Sequence, residues 1–96
     1  MRLDNNEKKA LKFALQGFKG ETFLFGSRIN KTKNGGDIDI LLIPKGTKSN
    51  PTKLALKIEA SFFSMCEQRI DVIVYNNGLF CKEILKNAKR IDIERI

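Results

Sequence analysis

Histidine is missing from this 96-residue chain. That absence excludes a Ser-His-Asp triad, a His-based zinc site and imidazole acid/base chemistry. Cysteine is scarce: Cys66 and Cys81 are the only two, and they lack Cys-x-x-Cys spacing. A structural zinc site and a disulfide framework are therefore not expected. No apolar run is long enough to cross a bilayer, and the segment from Met1 to Lys9 has no signal-peptide core. These absences predict a cytoplasmic protein with no membrane partner. Its chemistry must come from carboxylates, bound metal ions or groups supplied by a partner.

The length suits one domain spanning residues 1–96. A chain of this size buries only about 60–65% of its unfolded surface, so its core is small. The charge balance is one-sided, with 18 Lys and Arg against 11 Asp and Glu, a net +7. A positive field favours anionic partners such as nucleotide phosphates, nucleic acid or an acidic protein. The basic residues are spread along the chain rather than blocked, so nucleic acid is possible as a partner but not favoured.

Apolar periodicity predicts the elements. Leu11, Ala14, Leu15 and Phe18 fall at i, i+3, i+4 and i+7, which gives a helix from Asp4 to Gly17 with Asp4 or Asn5 as its cap. Thr22 to Phe25 is a short strand stopped by Gly26, followed by a helical turn from Ser27 to Lys31 and a polar loop from Lys31 to Gly36. Asp37 to Ile43 forms a second strand, ended by Pro44 and Gly46. Asn50-Pro51 starts a helix running to Cys66, with Leu54, Ile58, Ser61, Phe62 and Met65 inward. Arg69 to Tyr75 is a third strand, and Asn76-Asn77-Gly78 a turn. Leu79 to Asn87 is a helix with Phe80, Ile84 and Leu85 inward, and Arg90 to Ile96 alternates as an edge strand. The helix between the second and third strands favours a parallel pair, although a mixed sheet fits the same string. Helices are expected on at least one side of the sheet.

The informative residues are acidic. Asp37 and Asp39 share one face of an apolar strand, roughly 7 Å apart at Cα by strand rise, and Asp71 sits inside a second apolar strand. Carboxylates there are costly unless paired, hydrogen-bonded or bound to metal. Hard oxygen ligands in this pattern suit Mg²⁺. A strand-start ion pair with Arg69 is the structural alternative for Asp71. Upstream, Gly26 removes a Cβ where backbone must approach a phosphate, and Ser27 offers a hydroxyl and a backbone N–H; an ordinary strand-ending turn is the alternative. Arg28 could reach a phosphate or an acidic partner. Lys31 and Lys33 read as loop residues, Asp92 as solvent-facing, and Tyr75 as strand packing. Phe13, Phe18, Phe62, Phe63 and Phe80 read as core or interface.

Gly26-Ser27, nine further residues, Asp37-x-Asp39 and the distal Asp71 resemble the DNA polymerase β-like nucleotidyltransferase superfamily. The string Leu24-Phe25-Gly26-Ser27-Arg28, followed by Gly35-Gly36-Asp37-Ile38-Asp39-Ile40-Leu41, is similar to its minimal nucleotidyltransferase (MNT) branch. Many superfamily members carry Ser before the first aspartate, where this chain has Gly36. The resemblance implies an α/β (α+β) polymerase-β-like fold with a mixed central sheet of about four strands flanked by helices. It implies that Asp37, Asp39 and Asp71 are catalytic and hold two Mg²⁺ ions, and that Gly26, Ser27 and Arg28 bind the nucleotide. It further implies AMP transfer from ATP to a partner protein, an all-helical toxin of the HEPN family silenced by an MNT antitoxin. The alternatives are a catalytic subunit modifying a small-molecule hydroxyl and a non-catalytic module binding nucleotide or partner.

Overall fold

The computed structural model describes residues 3–26, 37–46 and 50–96. In chain order the elements are α1 (Asn5–Ala14), β1 (Gly20–Phe25), β2 (Ile38–Pro44), α2 (Pro51–Cys66), β3 (Ile70–Val74), α3 (Leu79–Asn87) and β4 (Lys89–Ile91). The expected turn and loop over residues 27–36, with Ser27, Arg28, Lys31 and Lys33, lie outside the described residues.

The helix starts follow their caps. The Glu7 N–H donates to Asp4 Oδ1 at 2.8 Å, and the Asp4 N–H donates to Glu7 Oε1 at 2.9 Å. This reciprocal capping box satisfies two otherwise orphaned donors and explains how an acidic side chain tolerates burial at position 7. Asn50 caps α2 by accepting from the N–H groups of Thr52 and Lys53, with Pro51 at the first helical position. Its end is a left-handed Glu67, at φ 53°. α1 ends at Ala14, three residues before the expected Gly17, because the chain leaves the helix through a turn over residues 15–17.

The strands form one mixed sheet in the order β3-β2-β1-β4. β2 and β3 are parallel, joined by the α2 crossover, and β1 is antiparallel to both β2 and β4. The sheet left open between parallel and mixed by the sequence is thus mixed. β4 is shorter than the expected 90–96 strand, pairing only over Lys89–Ile91.

α1 and α2 pack on each other and on one face of the sheet. The core there joins Leu11 and Leu15 of α1, Ile58 and Phe62 of α2, Leu24 of β1, Ile38, Ile40 and Leu42 of β2, and Ile70 and Val72 of β3. Burying one such side chain contributes about 1.5–3 kcal/mol. Leu41 points to the other face by alternation and is also buried, outside this cluster. α3 packs on β1 and buries Cys81. Two inward expectations are corrected. Met65 and Phe80 are exposed. Cys81, one position along from Phe80, takes the buried place on α3, and Ile84 and Leu85 are half-buried. Of the five phenylalanines expected in core or interface, Phe62 is buried and Phe18 partly so, while Phe13, Phe63 and Phe80 face solvent.

Candidate active site

Strand register brings the distant acidic residues together. Asp39 on β2 is the register partner of Asp71 on the parallel β3 and of Phe25 on the antiparallel β1. Adjacent strands lie about 4.8 Å apart, so the Asp39 and Asp71 carboxyl groups stand side by side on the face opposite the main core. Asp37 precedes β2 and is exposed.

This crowding marks Asp39 chemically. Its carboxyl is pushed up from 3.8 to about 6. Burial is the largest cause, followed by a shared hydrogen bond with Asp71 and then by the negative charges of Asp71 and Asp37. Two carboxylates at one place disfavour each other's ionisation. The Arg69–Asp71 ion pair allowed by the sequence is not formed: among the described residues the acidic partners of Lys and Arg are Glu83, Glu21 and Asp92. Asp92 is exposed and accepts from the Glu94 N–H, in keeping with a surface role. Tyr75 is half-buried, and its N–H continues the β2–β3 ladder to the Leu42 carbonyl at 2.8 Å.

Gly26 closes the site on the β1 side. Its φ is +75°, in the region that favours glycine. A Cβ at this position would run into Asp39 Oδ2. The bare Cα lets the Asp39 carboxylate lie against the end of β1.

Among the described residues, no three His, Cys, Asp or Glu side chains converge as a ready-made metal cage. What the structure presents is a carboxylate pair, Asp39 and Asp71, with Asp37 acting on it through charge. That donor set fits Mg²⁺, which is usually held by one or two carboxylates together with substrate phosphates.

One residue at this end of the sheet carries no motif. Glu59 on α2 accepts the Val72 N–H through Oε2 at 3.1 Å, tying the helix to the strand just beyond Asp71. The signal available in the sequence was spacing: Leu56, Glu59, Ala60 and Phe63 fall at i, i+3, i+4 and i+7, a second stripe beside the core-facing one.

Residues 20–94 match the family described as polymerase beta, nucleotidyltransferase. The chain belongs to that family, and the mixed four-stranded sheet with its three helices is the family's fold. Among solved structures, it is similar to a chain in the crystal structure of a mutant of the toxin–antitoxin MntA-HpeT. The two share 19% identity at a TM-score of 0.61, over 91% of this chain and 71% of that one. No curated protein matches the sequence.

Proposed function

We propose that this nucleotidyltransferase transfers AMP from ATP to a hydroxyl of a partner protein, in a Mg²⁺-dependent reaction. The observation that carries the reading is the Asp39–Asp71 pair across β2 and β3, with Asp39 pushed up to about 6 beside the bare Cα of Gly26. A pair of carboxylates in mutual repulsion is a site suited to a cation.

In this reading Asp37, Asp39 and Asp71 hold two Mg²⁺ ions. When bound, such ions lower the pKa of the attacking hydroxyl and neutralise charge on the triphosphate. Gly26 admits the triphosphate close to the backbone at the end of β1. Ser27 and Arg28 are assigned to grip it, by family resemblance. Asp71 stands at the far side of Asp39 from Gly26 and receives the hydroxyl proton. The acceptor oxygen forms its bond to the α-phosphorus, the α–β phosphoanhydride bond breaks, and pyrophosphate leaves.

A protein acceptor is supported by two things. The chain resembles the minimal branch of the superfamily, and its fold is shared with a chain from a toxin–antitoxin complex. On this reading the partner is an all-helical HEPN-family toxin and the present chain its antitoxin, working in the cytoplasm.

The test is a labelling reaction with Mg²⁺ and α-³²P-ATP in lysate from the protein's own source, with γ-labelled ATP in parallel. A protein band labelled only from the α-phosphate, and absent with Asp39→Asn, is the expected result. Label on a small molecule would move the acceptor to a free hydroxyl compound. No label despite Mg²⁺-ATP binding would leave a binding module.

A further inference from the structure

The two paired aspartates stand on strands held very differently. β2 lies between β1 and β3, whereas β3 is an edge strand paired along one side, to β2. Asp39 is therefore on a clamped strand and Asp71 on one that can yield. Like charges at one place repel, and that repulsion acts on the strand with the weaker hold.

The backbone amides of a strand point alternately to its two sides. The Tyr75 N–H reaches the Leu42 carbonyl of β2, so by alternation the Asp71 and Ile73 N–H groups also face β2, and the Val72 N–H faces the open edge. An amide there is ordinarily left to water or to an added strand. Here Glu59 Oε2 accepts it at 3.1 Å. Glu59 is half-buried on α2. Ile58, just before it, and Phe62, three residues on, are both buried in the main core. The tether thus runs from a packed helix to the residue directly after Asp71.

The oxygen of Glu59 explains its place better than its charge does. Glu59 lines a cleft of about 560 Å³ at this edge together with Asp37 and Asp71, against Arg69. A third carboxylate beside Asp37 and Asp71 adds to their repulsion. What position 59 supplies is an acceptor at the right reach for the Val72 N–H.

We infer that Glu59 is a positioning residue for nucleotidyl transfer: its bond to the Val72 N–H holds β3 against β2 and so keeps the Asp71 carboxylate beside that of Asp39. The inference rests on the nucleotidyl-transfer reading above and adds to it a residue of α2 that acts through Asp71. In that reading Asp71 receives the acceptor's proton, while the triphosphate lies on the other side of Asp39, at Gly26. Loss of the tether therefore falls on turnover and spares the hold on ATP.

The test compares Glu59→Ala, which removes the acceptor, with Glu59→Gln, which keeps an oxygen at the same reach without the charge. Hydrogen exchange of the Val72 amide, followed by NMR in metal-free protein without nucleotide, reads the tether itself. Initial rates of transfer from α-³²P-ATP with Mg²⁺ are measured over a range of ATP concentrations in dialysed source lysate, less the label incorporated without added protein. Glu59→Ala should exchange the Val72 amide faster and lower the maximal transfer rate, each about tenfold or more, with the KM for ATP within about twofold of the parent. Glu59→Gln should stay within about threefold of the parent in both measurements. Parental transfer by Glu59→Ala overturns the positioning role and leaves the transfer reading standing. An equal loss in Glu59→Gln also overturns it, because the charge and not the bond would then matter. So does a lost rate in Glu59→Ala with the Val72 amide still protected. If Glu59→Ala fails to fold, Glu59→Asp takes its place, with the charge kept and the side chain one methylene shorter, and the same outcomes decide. A parent that transfers no label overturns the transfer reading and this role with it.

Discussion

The two faces of β2 differ in kind although they belong to one seven-residue strand. On one face Ile38, Ile40 and Leu42 are fully buried against α1 and α2. On the other, Asp39 stands half-buried beside Asp71, and only Leu41 further along is fully buried. The period-2 alternation of a strand separates the two sets of side chains. Stability is concentrated on the helical face, and the proposed chemistry sits at one end of the opposite face at some cost in stability. A change on one face should therefore leave the function of the other largely intact.

The strongest way to break this comparison is a pair of substitutions. Asp39→Asn should reduce nucleotidyl transfer by about a thousandfold or more, since it removes one ligand of the proposed metals. Its far-UV circular dichroism should match the parent. Phe62→Ala, on the helical face, should cost about 3–5 kcal/mol in denaturant unfolding, a large part of a small domain's stability. If Asp39→Asn unfolds the protein, or Phe62→Ala leaves its stability unchanged, the division between faces is wrong.

Gly26→Ala tests where the carboxylate face meets the nucleotide. It forces a side chain into a left-handed conformation, at about 1–2 kcal/mol, and drives its Cβ into Asp39. Equilibrium binding should show weaker nucleotide affinity along with the stability loss. Parental affinity would remove Gly26 from the nucleotide site.

The pH dependence of stability follows from Asp39. Its folded pKa, about 6, lies above the ordinary 3.8, so the folded state holds this proton more tightly than the unfolded state does. The contribution favours folding below pH 4, declines as pH rises through 6, and is lost above it. The size is on the order of 1 kcal/mol after solvent screening. Unfolding followed from pH 4 to 8 without Mg²⁺ should show this decline on top of the other titrations, and Asp39→Asn should lack it. An identical pH profile in the two proteins would contradict the crowding at Asp39.

The smallest effect belongs to a residue remote from the site. Asp4→Ala removes half of the α1 capping box and should cost about 1 kcal/mol, with transfer unchanged at temperatures where the fold persists. Loss of transfer in the fully folded variant would link α1 to the chemistry.

Much of this arrangement is legible in the sequence because local rules and burial agree. Asn50-Pro51 and Leu79–Asn87 mark helix boundaries that the structure keeps, and Asp37-x-Asp39 in an apolar run announces a strand with a chemical face. What remained hidden depends on relations between elements. The parallel register that sets Asp71 beside Asp39 is a property of the α2 crossover, not of either strand. The bond from the Val72 N–H to Glu59 spans helix and strand and leaves no motif. Phe80 and Cys81 exchanged places because helical spacing alone leaves the rotation of α3 against β1 open by about one residue. Phe62 and Phe63 both read as core or interface, yet consecutive helical positions are about 100° apart and only Phe62 faces the sheet.

The central claim is that the aspartates form a site for Mg²⁺ and nucleotide together. Its most direct test is calorimetric binding of an ATP analogue blocked between the α- and β-phosphates, with and without Mg²⁺, to the parent and to Asp39→Asn. The account predicts that Mg²⁺ tightens binding to the parent at least tenfold and has little effect in the variant. Equal Mg²⁺ dependence in the two proteins would show that the metal acts elsewhere and would contradict the account.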